Sequence, residues 1–151
     1  ALPLSAAPLK VGDKAPDFTL TLPDGTKKTL ADSKGKTLLL HFWATWCPPC
    51  RAELPELEPL AVKANAQKDG KLAFLAVCIS DTEKSRASFM KSESLSFEGG
   101  LDQDAVIARD YTLQAIPTSV LISPDGIVKM FNVGMLSGKQ IARITDEYGV
   151  Q

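Results

Sequence analysis

An α/β domain is the fold class that the sequence predicts, and three features predict it. Apolar runs over 38–43 and 71–79 read as buried strands, helical spacing of apolar residues separates them, and a β-hairpin with a final helix closes the chain. At 151 residues, 44% of them hydrophobic and 23% charged, the chain fits one domain with a single substantial core. The expected division is a flexible lead-in over residues 1–10, rich in Ala and Pro, and one domain over 11–151. A start at Ala1 without an initiator Met fits an exported protein whose signal or anchor has been removed, or a trimmed chain.

The elements follow in order. Asp17-Phe18-Thr19-Leu20-Thr21-Leu22 and Lys27-Lys28-Thr29-Leu30 alternate around the turn signal Pro23-Asp24-Gly25-Thr26 and predict an N-terminal β-hairpin. Leu38 to Trp43 is apolar on both parities except at His41, as a central strand covered on both faces would be. From Pro48 to about Gln67, Leu54, Leu57, Leu60, Ala61 and Ala64 recur at spacings of three and four and predict a helix. Pro48 and Pro49 suit its first turn, whereas Pro55 and Pro59 each remove an internal hydrogen bond and predict a kink near its first third. Lys71 to Ile79 is a second buried strand, and Asp81-Thr82-Glu83 opens a helix with Ala87, Phe89 and Met90 inward. After an extended Leu95 to Leu101, Asp102 caps a brief helix through Arg109. Ile116 to Ile122 and Ile127 to Val133 flank Ser123-Pro124-Asp125-Gly126 as a hairpin, and a capping box of Ser137 and Gln140 opens the last helix, with Ile141 and Ile144 facing the sheet.

With 17 Lys and Arg against 18 Asp and Glu and no run of one sign over about five positions, neither nucleic acid nor an anionic membrane surface is an expected partner. No stretch approaches the ~18 apolar residues of a spanning helix. The three cysteines are too few for a disulfide-stapled small fold. Cys47 and Cys50, however, stand at i and i+3 where the first buried strand ends and the long helix begins, a spacing that lets a disulfide open and close without backbone movement. A zinc site would need four ligands, and three Cys, one His and no second CxxC do not supply it, so no metal or cofactor is expected. At the helix N-cap the Cys47 sulfur meets the positive end of the helix dipole, which favours the thiolate and marks Cys47 as the nucleophile. With Pro48 and Pro49 lacking N–H groups, only the Cys50 amide remains in that turn to serve it, so the thiolate is stabilised mildly. Cys50, one turn deeper, is the resolving thiol.

Three segments carry a family likeness: Phe42-Trp43-Ala44-Thr45-Trp46-Cys47-Pro48-Pro49-Cys50-Arg51-Ala52-Glu53-Leu54-Pro55, Ala115-Ile116-Pro117-Thr118, and Gly12-Asp13-Lys14-Ala15-Pro16-Asp17-Phe18. From about residue 10 onward the chain resembles the thioredoxin-like thiol-disulfide oxidoreductases of the TlpA/ResA/CcmG type. The resemblance implies a thioredoxin-like fold: a central mixed β-sheet flanked by helices, with an N-terminal β-hairpin extension and a central strand-helix insertion. It implies a cis bond before Pro117, with the Ile116 backbone turned toward Cys47 to pair with an incoming peptide, and a client-binding surface formed by Trp46, Pro48, Pro49, Ile116 and Thr118. It implies an extracytoplasmic protein, periplasmic or on the outer face of the cytoplasmic membrane, that meets the membrane, if at all, through a removed N-terminal anchor. Expected partners are a client protein with a disulfide, such as an apocytochrome c during cytochrome c maturation, and a membrane-bound electron donor of the thiol-reductase type.

Two side chains stand as candidates for the Cys50 proton. Glu53 lies one helical turn beyond Cys50 and matches the acidic residue that such proteins hold near the redox pair; the alternative is a solvated helix charge. His41 falls where cytoplasmic thioredoxins carry a buried Asp beneath the disulfide. One reading makes it a core histidine bonded to backbone; the other lets it titrate with Cys50. Trp43 and the lone thiol Cys78 read as core, as do the scattered Met90, Met130 and Met135.

Reduction of client disulfides is the expected direction, because a weakly stabilised thiolate makes the dithiol a stronger donor. Two rivals come from other classes. A thiol peroxidase of the peroxiredoxin-like branch would place a Thr and a Pro-led loop differently before its Cys, and here only Thr45 precedes Cys47, with no Pro. A copper-binding metallochaperone of the Sco-like kind would have wider cysteine spacing and a downstream His, whereas His41 is upstream.

Overall fold

The apolar run at the heart of the sequence forms a strand, β3 (Thr37–Trp43), that is buried at all seven positions. In the computed structural model, which describes residues 7–151, β3 is the middle of a five-stranded sheet with β4 (Leu72–Ile79), β5 (Gly99–Asp102), β6 (Thr118–Ile122) and β7 (Val128–Val133). The order is β5-β4-β3-β6-β7. β4 pairs parallel with β3 and with β5, whereas β6 is antiparallel to β3 and to β7, so the sheet is mixed. The expected N-terminal hairpin is present as β1 (Thr19–Thr21) and β2 (Lys27–Thr29), a separate antiparallel pair.

Alternation along β3 splits the core. Leu38, Leu40 and Phe42 point to one face, with Val77, Val120 and Ile122 from the neighbouring strands and Phe18, Leu20 and Tyr111 packed over them. Leu39 and Trp43 point to the other face, against the long helix α1 (Pro48–Ala66). Leu54, Leu57, Leu60, Ala61 and Ala64 of α1 are all buried there, the stripe its spacing predicts. Pro55 and Pro59 lie on the exposed side of α1, where water can serve the carbonyls they leave unpaired, and the helix runs through both without a break.

Between β4 and β6 the insertion carries α2 (Glu83–Ser92), β5 and the short α3 (Val106–Asp110). One inward residue differs from expectation. Ala87 is exposed, and Arg86 takes its place beside Phe89 and Met90, because its guanidinium is paired with Glu83 through Nε and Nη2 at 2.8 and 2.9 Å. The expected helix after Asp102 is broken into a 3₁₀ turn and α3, whose N-cap is Ala105 in the left-handed region; the Asp102 carboxylate reaches over the turn to accept from the Ile107 and Ala108 amides at 3.0 Å each. α4 (Gly138–Glu147) begins at the Ser137–Gln140 capping box, with Ile144 buried and Ile141 half-buried. Of the expected lead-in, residues 1–6 lie outside the described residues; Leu9 is docked, its amide donating to Thr112 Oγ1 at 2.8 Å and its side chain packed on the core.

Two adjacent glycines set how closely β5 meets its neighbours, Gly99 toward β4 and Gly100 toward the hairpin. A Cβ on Gly99 would strike the Ala76 backbone, and one on Gly100 would strike the Thr21 carbonyl. Gly100→Ala is therefore expected to push β1 off β5 and to lower the unfolding free energy by about 1–3 kcal/mol in urea titrations. Gly138→Ala, where a Cβ meets nothing within 4 Å, should instead be neutral or raise stability by about 0.5–1 kcal/mol.

Candidate active site

β3 delivers the chain through Ala44 and Thr45 to Cys47, the N-cap of α1, whose extended backbone (φ −104°, ψ 103°) leaves the helix to start at Pro48. Cys47 and Cys50 are joined as a disulfide with their Cα atoms 5.3 Å apart. The Cys50 amide donates to Cys47 Sγ at 3.3 Å, and Pro48 and Pro49 fill the first two helical positions with no N–H to offer. Both sulfurs are sheltered: Cys47 is 4% exposed and Cys50 0%. Around them Pro48 and Pro49 are exposed, and Trp46 is 58% exposed with its indole N–H donating to the Ser80 carbonyl at 2.9 Å.

The loop before β6 closes the opposite side. The Ile116–Pro117 bond is cis, and the Ile116 carbonyl oxygen stands 3.7 Å from Cys47 Sγ. Ile116 is half-buried and Pro117 buried. The Thr118 hydroxyl turns inward to donate to the Ala115 carbonyl at 2.7 Å and is fully buried, so its side chain does not join the outer surface that the resemblance assigned to it. The Gly134 amide donates to the Pro117 carbonyl at 2.7 Å, which ties the loop after β7 to the same place.

Beneath the disulfide the two candidate proton acceptors meet. Glu53 is 1% exposed, which removes the reading of a solvated helix charge, and its Oε1 lies 3.1 Å from His41 Nε2. Its other oxygen accepts from the Leu136 amide at 2.6 Å. His41 is 0% exposed, and its Nδ1 lies 2.8 Å from the Ser119 hydroxyl, the residue directly opposite it in the β3–β6 register. Backbone does not hold this imidazole: Nδ1 is bonded to a side chain, and Nε2 faces Glu53 Oε1 without forming an aligned hydrogen bond.

Two participants were absent from the sequence reading. Ser119 carried a signal, a small polar residue inside an apolar strand, but only the register aims it at His41. Asp81 reads as a helix opener, yet its Oδ2 accepts from both the amide and the hydroxyl of Thr45 at 2.7 Å, and its Oδ1 accepts from the Thr82 amide at 2.8 Å. Partial burial pushes the Asp81 pKa up, but these hydrogen bonds outweigh it and hold the carboxyl below its ordinary value. Burial, followed by the Asp81 charge 3.6 Å away, pushes the Cys78 thiol far above its ordinary value and keeps it protonated. Among the described residues no group of three or more His, Cys, Asp and Glu is placed to hold a metal ion, and no helix is long and apolar enough to cross a membrane.

The sequence pattern of the AhpC/TSA family matches residues 11–131. The chain is 36% identical over 141 residues to the thioredoxin-like protein YneN of Bacillus subtilis, covering 91% of this chain and 80% of that protein. It is 33% identical over 140 residues to the thiol-disulfide oxidoreductase ResA of Bacillus thuringiensis, covering 93% and 77%. Among solved structures, the thioredoxin domain of a thiol-disulfide oxidoreductase from Bacteroides vulgatus superposes with a TM-score of 0.77 at 25% identity, over 95% of this chain and 99% of that one. The exposed lipoprotein thioredoxin of Streptococcus pneumoniae does so with a TM-score of 0.71 at 26% identity, over 87% and 99%. The fold is thioredoxin-like, as the resemblance implied.

Asp81 supplies a prediction with a definite pH sense. Its folded pKa lies below the ordinary 3.8, so its hold on Thr45 contributes fully above that value and is lost as pH falls through the lower folded value. Asp81→Ala is expected to cost about 1–2 kcal/mol at pH 7, and urea titrations should show the gap from wild type narrowing below about pH 4.

Proposed function

The chain belongs to the AhpC/TSA family and is a thiol-disulfide oxidoreductase of the ResA type, and from that premise we propose that it works outside the cytoplasm as a reductant of client protein disulfides. The observation that carries the direction is the single amide at Cys47 Sγ, donated by Cys50 because Pro48 and Pro49 have none. A thiolate with one donor is less stabilised than one with several, the dithiol is less favoured, and the pair gives up its electrons more readily.

The reaction runs in two displacements. The Cys47 thiolate attacks one sulfur of the client disulfide, forming a mixed disulfide and expelling the client's other sulfur as a thiolate, which takes up a proton. Cys50 then loses its proton to the Glu53–His41 pair and attacks Cys47 Sγ; the Cys47–Cys50 bond forms, the mixed disulfide breaks, and the client leaves as a dithiol with two electrons gained. The Ile116 backbone beside Cys47 and the exposed Trp46, Pro48 and Pro49 provide the surface for an extended client segment, in the manner of strand addition. Thr118 contributes through backbone alone, since its hydroxyl braces the turn at Ala115. A membrane-bound donor of the thiol-reductase type returns the pair to the dithiol. The name of the pneumococcal relative, an exposed lipoprotein thioredoxin, supports a place outside the cytoplasm, and the ResA likeness makes an apocytochrome c the client to try first.

Peroxide reduction is disfavoured by Thr45. Its hydroxyl is committed to Asp81 rather than to the sulfur, and no Pro-led loop precedes Cys47.

Three measurements test the proposal together. Cys47→Ser should abolish reduction of insulin disulfides, and Cys50→Ser should accumulate a mixed disulfide visible by mass. The equilibrium potential of the pair against a thiol buffer should fall near or below about −250 mV; a value near −120 mV would make the protein an oxidant instead.

A further inference from the structure

One helical turn beyond Cys50 lies a buried polar group, and the neighbours of its atoms limit where protons can sit. His41, Glu53 and Ser119 are 0%, 1% and 0% exposed. Glu53 Oε2 takes the Leu136 N–H and His41 Nδ1 faces the Ser119 hydroxyl, whereas Glu53 Oε1 and His41 Nε2 stand 3.1 Å apart without hydrogen-bond alignment and with no other polar partner among the described residues. With Glu53 ionised and His41 neutral, one arrangement gives each atom a complementary neighbour: Nε2–H faces Oε1, and the Ser119 O–H donates to Nδ1. When the pair holds one more proton, two arrangements remain, a carboxylic acid donating to Nε2 or an imidazolium donating to the carboxylate. Both place a proton on Nδ1, which then donates to Ser119 Oγ. The serine hydroxyl is the donor in the empty form and the acceptor in the loaded one.

We infer that Ser119 is a positioning residue that sets how strongly the His41–Glu53 pair holds the proton released by Cys50. The inference rests on the reductase reading above and extends it to a residue that touches neither sulfur nor client. The proton balance is closed: Cys50 Sγ loses one, the pair gains one, and Ser119 gains none but reverses its hydrogen bond. Other titratable groups on this side of the sheet are Cys47 before α1, Cys50 on α1, Cys78 on β4 and, beside Thr37 at the far end of the strand, Tyr148 after α4; Arg86 of α2 is bound to Glu83. The protonated Cys78 and Tyr148 bring no charge to His41 near neutral pH. β4 otherwise presents the Phe74 ring, stacked at 6.3 Å from the imidazole.

The chain contains one histidine, so its ring nitrogens can be followed without assignment ambiguity by long-range ¹H–¹⁵N correlation across pH in the oxidised and reduced protein. In wild type at high pH the Nε2-protonated tautomer is expected, with Nδ1 gaining its proton as the pair loads. Ser119→Ala takes a neutral hydrogen bond from the empty form and the stronger, charge-assisted one from the imidazolium form, so the midpoint should move to lower pH by the difference between them, roughly three- to tenfold in proton affinity. The pH profile of insulin reduction should move with it, and Ser119→Thr, which restores a hydroxyl, should move both back. An unchanged midpoint and profile in Ser119→Ala would leave Ser119 as packing and overturn the inference, as would a wild-type imidazole whose Nδ1 stays bare at every pH in both redox states. Retained insulin reduction in Cys47→Ser would instead overturn the reductase reading, a separate outcome.

Discussion

The carboxylate of Glu53 is the constraint around which the site is arranged. A buried carboxyl group needs polar neighbours, and the two it has come from different parts of the chain: the imidazole of His41 on β3, 3.1 Å from Oε1, and the amide of Leu136 in the loop before α4, which donates to Oε2. That loop is tied in turn to the carbonyl of Pro117 through Gly134. One side chain of α1 therefore fixes the helix that carries both cysteines against the central strand below and against the segment that faces Cys47 from across the cleft. Removing the Leu136 amide would leave the carboxyl group without a hydrogen bond in a dry interior, a cost that favours this one arrangement of the three elements.

The two sides of the disulfide are built differently. On one side lie the Ile116 carbonyl and the inward Thr118 hydroxyl, rigid backbone held by its own hydrogen bonds. On the other, the exposed Trp46 is fastened through its indole to Ser80 while the preceding Thr45 is fastened to Asp81, two residues of the same β4–α2 connection. Arg51 adds a stacked contact, its guanidinium 5.3 Å from the centre of the Phe89 ring. The large apolar surface that a client would meet is thereby held in place from beneath, so little side-chain freedom is lost when it is covered.

Most of the fold was legible because it follows from local pattern: the seven buried positions of β3, the stripe on α1, the capping box of α4 and the turn residues of both hairpins are each readable within a window of a dozen residues. Cys47 and Cys50 were legible for the same reason. Contacts between distant segments were not. Ser119 faces His41 across 78 residues of sequence, and only the antiparallel register of β3 and β6 brings them level. Ala87 yielded its inward place to Arg86 because a pairing with Glu83, not hydropathy, made the longer side chain buriable. Asp81 looked like a helix opener and is one neighbour of it, since Thr82 provides the side-chain cap through Ser85 and the carboxylate is free to turn toward Thr45.

The sequence posed Glu53 and His41 as alternatives, and the geometry replaces that choice with a single unit. Glu53 Oε1 and His41 Nε2 stand 3.1 Å apart in a dry interior, so a substitution of either leaves the facing atom of the other with no polar neighbour among the described residues. The physical asymmetry lies elsewhere: Glu53 is anchored on its far side by a backbone amide, which cannot reverse, and His41 by a hydroxyl, which can. Any gain or loss of a proton by the pair is therefore absorbed on the histidine side, through β3 and β6, while the contact of Glu53 with the Leu136 loop stays in place.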